Sequence, residues 1–119
     1  MNVFIWIVQS VLAVHIGISG FLKLTQPKEK LAAKFPWMHD TSQTTVRLIG
    51  VVEVLGAIGL IAPKATGIAP VLTPVAAAGL SVFMILATAL HLRRKEYSVA
   101  AFTTALAVIY ALTAWATLP

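Results

Sequence analysis

Four apolar runs, separated by short polar segments, dominate the chain. Residues 3–22, 46–62, 74–91 and 99–118 each approach the roughly 20 apolar residues that a helix needs to cross about 30 Å of hydrocarbon. A span in lipid must satisfy its own backbone amides, so these runs are predicted as helices and not as open strands. The fold class that follows is all-α: an integral membrane four-helix bundle, in one domain, with a short amphipathic segment in the first loop.

The punctuation between the runs agrees. Asp40 with Gln43 three residues on resembles a capping box leading into the second helix, and Pro63 is expected to close it. Thr73-Pro74 suits a cap followed by proline at the first position of the third helix. "HLRRKE" ends that helix on cations, which the helix dipole favours. Ser98 is the expected cap of the fourth.

The longest polar segment covers residues 23–45. Within it "PKEKLAAKF" places Leu31 and Phe35 on one face, with Lys28, Lys30 and Lys34 supplying cations. Two readings stay open: a helix lying in the headgroup region, or a plain solvated loop. On the first reading Trp37, Phe35 and Lys34 are interfacial anchors.

Composition sharpens the membrane reading. Of 119 residues, 59% are hydrophobic and 11% charged, against about 25% charged in soluble domains. There is no cysteine, which excludes disulfides and thiolate chemistry. The net charge is +5, but the basic residues lie in short clusters between apolar runs, without the aromatic and basic interleaving of a nucleic-acid surface. No nucleic acid partner is expected. Lys23, Lys28, Lys30, Lys34, Arg47, Arg93, Arg94 and Lys95 fall in or beside the first and third loops, and only Lys64 lies opposite. The positive-inside rule then predicts the cytoplasmic (inner) membrane, basic loops in the cytoplasm and both termini outside. No basic residue precedes Lys23, so the first run is read as a retained span and not a signal peptide.

Charge inside a span is costly and marks candidate chemistry. Counted from the cytoplasmic ends, His15 and Glu53 both lie roughly 10 Å deep, so a His15–Glu53 contact is allowed. Thr103 and Thr104 fall near that level. Lys23, Arg47 and His91 lie near the interface. Glu53 is either a structural carboxylate tied to Arg47, His15 or Lys23, or a titrating or ligand-binding group in a cavity open to the cytoplasm. His15 alone reads as a packed, hydrogen-bonded histidine, and His91 as an interfacial one. Their depths differ too much for a haem pair. No histidine or carboxylate spacing suggests a metal site. Gly50, Gly56 with Gly59, Gly17 with Gly20, and "AAAG" at 76–79 read as close-packing faces.

Three stretches carry a family resemblance. "GFLKL" at 20–24 with Pro27, "RLIGVVEVLGAIGL" at 47–60, and "PVLTPVAAAGL" continuing to "HLRRKE" resemble the helix signatures of the DoxX-like family of small four-helix membrane proteins. The resemblance implies a four-helix bundle. It implies attention to Lys23, Arg47, Glu53 and His91, with His15 in the matching first helix. Some relatives are linked to thiosulfate:quinone oxidoreductases, some to membrane redox-stress complexes and distant ones to receptor assembly. The lack of cysteine departs from any thiol-based version. The expected function is a binding or accessory subunit that holds a lipid- or quinone-like ligand, not covalently bound, or braces a partner protein or second copy in the bilayer. A quinone-reacting oxidoreductase subunit, with its electron carrier on a partner, and a proton-coupled transporter using Glu53 and His15 are the alternatives. Whether the chain is itself an enzyme stays open.

Overall fold

A computed structural model describes residues 2–119. It consists of α1 (Val3–Thr25), a short α2 (Lys28–Leu31), a 3-10 turn (Pro36–Asp40), α3 (Gln43–Thr66), α4 (Leu72–Arg93) and α5 (Tyr97–Ala116). The four long helices, α1, α3, α4 and α5, are long and apolar enough to cross a membrane, so the chain is an integral membrane protein built as a helical bundle. Short connections make successive helices antiparallel neighbours. Thus α1 packs on α3, α3 on α4 and α4 on α5, while α1 and α5, which close the ring, touch only lightly. One end of the bundle carries the α2 segment, the α4–α5 loop and every lysine and arginine except Lys64. We call it the basic end, and the other the terminal end.

The bundle is apolar outside, unlike a soluble protein, and its interior combines an apolar core with buried polar groups. On α1, Ile7, Val11, Val14 and Ile18 form an exposed stripe, while Gln9, Leu12, Ile16, Gly20 and Lys23 are buried. Both sets step by three or four residues, so they are opposite faces of one helix. On α5 the buried face includes Thr103, Tyr110 and Thr113. The apolar core is made by Leu12, Ile16, Leu60, Leu80, Met84 and Tyr110 with their neighbours. Lipid surrounds the outer face, so hydrophobic burial does not drive these helices together; close packing and interhelical hydrogen bonds do.

Glycine sets the closest approaches. A Cβ placed on Gly20 would lie 2.8 Å from the Gly50 carbonyl oxygen and 2.9 Å from Glu53 Cβ. One placed on Gly50 would lie 2.9 Å from the Gly20 carbonyl oxygen and 3.0 Å from Lys23 Cβ. The two glycines therefore mark the α1–α3 crossing. Gly56 and Gly59 do the same for α3 on α4, facing Leu80 and Ala76 at 2.7 and 2.6 Å. Gly17 makes only ordinary contact with Ala57, and Gly79 faces open space.

Several expected boundaries move. Pro63 does not close the second helix; it sits buried inside α3, which runs on to Thr66 and ends at Gly67 in the left-handed conformation (φ 74°). Proline removes only its own amide, leaving the Gly59 carbonyl without its helical donor. Next to that gap, Gln9 Nε2 donates to Leu60 O at 2.7 Å. The cap of α3 is Ser42, whose Oγ accepts from Thr45 N at 3.1 Å, and not an Asp40–Gln43 box. Gln43 instead caps α2 by accepting from Lys28 N at 3.0 Å. Thr73 and Pro74 lie within the first turn of α4, and Ser98 within that of α5. In the first loop only Lys28–Leu31 is α-helical. Leu31, Ala32 and Met38 turn inward onto Val46, with Leu22 and Trp37 against them. Lys28 Nζ donates to Met38 O (3.2 Å) and Thr41 O (2.7 Å), which ties the segment into a compact cap.

Gly20→Ala forces a methyl against a backbone carbonyl that cannot rotate away, and is expected to lower stability by about 1–3 kcal/mol. Gly79→Ala meets nothing, removes a flexible residue from a helix, and is expected to be neutral or stabilising by up to about 1 kcal/mol. Unfolding of both variants in detergent checks this; equal losses would contradict the assigned crossing.

Candidate functional site

At the α1–α3 crossing a charged group is buried on each helix. Lys23 Nζ donates to Glu53 Oε1 at 2.7 Å, with side-chain exposures of 9% and 4%. Ser19, one turn before Lys23, completes the cluster. Its Oγ donates to Glu53 Oε2 at 3.1 Å and accepts from Lys23 Nζ at 2.6 Å. Helical side chains lean toward the N-terminus of their own helix. Lys23 therefore reaches back from the basic end to Ser19 and to the level of Glu53. Phe35, from the loop above, places its ring 5.9 Å from the ammonium, within cation–π range.

Arg47 does not touch the carboxylate. Its Nη1 donates to Lys23 O at 2.9 Å, satisfying one of the last-turn carbonyls of α1 that have no amide partner. It thereby fixes the backbone that carries the lysine. His15 and Glu53 make no hydrogen bond. His15 lies on the exposed side of α1 and meets Phe102 of α5 edge-on, with ring centroids 5.9 Å apart.

Ser19, Lys23, Glu53, Phe35 and His15, but not Arg47, face a cavity of about 590 Å³, within the 300–1,000 Å³ usual for small-ligand sites. Its walls are mostly apolar. Ile16, Phe83, Met84, Leu90 and Leu106 line it, and Ser19, Lys23 and Glu53 form a polar patch on one side. Leu31, Phe35 and Trp37 close it at the basic end. Exposed Ile18, Leu86 and Phe102 also belong to its wall, so it communicates with the flank of the bundle. Thr88 and Thr103 share a 2.7 Å hydroxyl hydrogen bond beside it.

His91 lines the cavity from α4 and is buried. Its Nδ1 lies 2.8 Å from Glu96 Oε1. An ionised Glu96 only accepts, so Nδ1 carries the hydrogen and Nε2 stays out of that pair. Arg94 approaches Glu96 through Nε at 3.3 Å and bonds Asp40 Oδ2 through Nη1 at 2.5 Å. The Asp40–Arg94 contact joins the loop that roofs the cavity to the α4–α5 loop. Of the sequence candidates, then, Lys23 and Glu53 meet directly, Arg47 supports Lys23, and His15 and His91 stand apart on the cavity wall. Trp37 and Phe35 form part of the roof, and Lys34 is exposed at the rim. Ser19 and Glu96 were not singled out from sequence, and Asp40 was read only as a helix cap. The i, i+4 spacing of Ser19 and Lys23 was the available signal for the first; only the fold brings Asp40 and Glu96 to the same arginine, Arg94.

Removing one partner of a buried pair leaves an uncompensated charge. Lys23→Met or Glu53→Gln alone is expected to cost about 3–5 kcal/mol, and the double variant to recover most of the loss. Thermal melts of the three proteins check this; additive losses would mean that the two side chains are independent.

The contacts of Arg94 with Asp40 and Glu96 form a water-facing latch between the loops, and it responds to acid. The hydrogen bond from His91, with help from the Arg94 charge, holds the Glu96 carboxyl below its usual 4.5. The folded state therefore binds fewer protons than the unfolded one, and the stabilisation present above pH 4.5 is lost as the pH falls below it. Melting points measured across that range are expected to drop in the native protein and to drop less in Glu96→Gln.

A sequence profile described as the DoxX-like family matches residues 7–116, which takes in all four long helices and the roof of the cavity. No match is found among curated proteins or solved structures. With nearly the whole chain covered, the protein belongs to the DoxX-like family.

Proposed function

We propose that the bundle binds an uncharged, lipid- or quinone-like molecule in its cavity, as a binding or accessory subunit of a membrane redox assembly. One observation carries this reading. A largely apolar cavity of about 590 Å³ has, among the described residues, its one lysine and its one carboxylate paired with each other at 2.7 Å. The polar patch is thus neutral overall. It offers hydrogen bonds to a carbonyl or hydroxyl without offering net charge to a carboxylate or phosphate. Ser19, Lys23 and Glu53 orient the head of the ligand, Arg47 holds Lys23 in place, and Phe35 and Trp37 cover the site, with Lys34 at the headgroup level.

A quinone-reacting oxidoreductase subunit is the second reading, favoured by the two imidazoles on the wall. His15 and His91 are suited to hydrogen-bond a quinone carbonyl, and a partner protein would bring the electron carrier. In both readings the basic end faces the cytoplasm and the bilayer is the inner membrane, by the charge bias of the loops.

Trp37 reports on the cavity. The chain has 3 tryptophans, and Trp6→Phe with Trp115→Phe leaves Trp37 alone. Titration of this protein with a decyl-substituted benzoquinone is expected to give saturable quenching. Ala87→Leu, which narrows the cavity, is expected to weaken binding about tenfold. Oleate should compete poorly, and better in Glu53→Gln, where Lys23 is no longer neutralised. Linear quenching indifferent to Ala87→Leu would refute the reading.

A further inference from the structure

One nitrogen of the His91 ring is left without a protein partner on the wall of the cavity. His91 lies in the last turn of α4, is only 8% exposed and lines the cavity. Among the described residues, the bond from Nδ1 to Glu96 Oε1 at 2.8 Å is the one side-chain hydrogen bond it makes. The two ring nitrogens point in diverging directions, so Nε2 turns away from Glu96.

The backbone builds this pair. Lys95 takes the left-handed conformation (φ 59°), which helix ends usually give to glycine. Glu96 N then donates to His91 O at 2.9 Å, and Lys95 N to Leu92 O at 3.1 Å. This double closure of the helix end brings Glu96 back onto His91, and lysine accepts the strain of a conformation that suits it poorly. The hydrogen bond from His91, helped by the Arg94 charge, holds the Glu96 carboxyl below its usual 4.5 and so keeps it ionised. Arg94 is itself engaged by Asp40. An ionised carboxylate only accepts. The hydrogen therefore stays on Nδ1, and Nε2 of the neutral ring carries a lone pair.

The polar patch across the cavity offers the opposite. Lys23 Nζ has three hydrogens. It gives one to Ser19 Oγ and one to Glu53 Oε1, and keeps one. Glu53 has Oε1 engaged by Lys23 and Oε2 by Ser19. The wall thus carries a spare donor from α1 and a spare acceptor from α4.

We infer that His91 Nε2 is the hydrogen-bond acceptor of the cavity and selects a ligand head with a phenolic hydroxyl, a hydroquinone or long-tailed phenol, over one with only carbonyl or ether oxygens. Glu96 is the positioning residue that fixes the ring in its accepting form. The inference rests on the ligand-binding reading and narrows its chemistry. A phenol, with a pKa of about 10, stays uncharged at neutral pH, as the neutral patch requires. Donation from Nε2 to a carbonyl would need a second proton on the ring.

The test uses the protein that carries Trp37 alone, with decyl-benzoquinone bound. The quinone is displaced by para-decylphenol or by its methyl ether, which lacks the donor hydrogen. The preference for phenol over ether is expected to be about tenfold larger with His91 present than in His91→Leu. Partitioning into detergent is common to all the proteins, so it cancels in this comparison. In Glu96→Gln the new amide can donate to Nδ1, which moves the ring hydrogen to Nε2. There the preference is expected to fall while displacement by the ether is unchanged, and this variant decides the matter if His91→Leu takes up neither ligand. A preference absent from the native ring, or surviving in either variant, overturns the inference while the cavity still fills. Absence of saturable quenching by the quinone removes the ligand-binding reading and this inference with it.

Discussion

Two glycines let two helices touch, and a buried ion pair closes at that contact. Gly20 and Gly50 present bare backbone to each other, and this brings Lys23 and Glu53 within 2.7 Å across the α1–α3 interface. With larger residues at the crossing, each charge would stand alone in a medium that solvates neither. The pair also gives α1 and α3 a fixed register, since a sliding or rotating helix would separate the charges. Ser19 bridges both partners, so the cluster is satisfied locally.

The site inherits its character from this closure. The pairing removes net charge from the polar side of the cavity and leaves hydrogen-bonding capacity behind. The loop above is held by Lys28 on its own carbonyls and by Asp40 on Arg94, so the roof is tied to both hairpins of the bundle. Polar residues inside and aliphatic residues outside follow from one solvent condition: lipid rewards an apolar exterior and leaves the interior free to carry chemistry.

The spans were legible because each is an apolar run of membrane length, and their number and order needed nothing more than hydropathy. The glycine faces were legible in part. The sequence marked Gly20 and Gly50 as packing positions but did not say that they face each other. Glu53 was visible as an anomaly, but its partner among Arg47, His15 and Lys23 was not, because the reach of a lysine along its own helix depends on side-chain direction and not on residue count. Pro63 misled for a related reason: proline ends a helix in water, whereas within a bundle neighbouring groups tolerate the missing bond. The first loop was misjudged in extent. Its alternation of lysines and apolar residues over 27–35 suits a helix, but only Lys28–Leu31 forms one, and Leu31 and Ala32 turn inward onto Met38 and Val46.

Among neighbouring long helices, the weakest seam runs between the first and the last. Among the described residues no side-chain hydrogen bond joins α1 to α5, and His15 against Phe102 is an edge contact of rings. Parting these helices a little would break neither the ion pair nor the latch between the loops, both of which lie on other interfaces. A long-tailed guest could therefore slip in sideways from the acyl chains and leave by the same slit while the roof stays shut, so traffic through the cavity would follow the plane of the bilayer and not its normal.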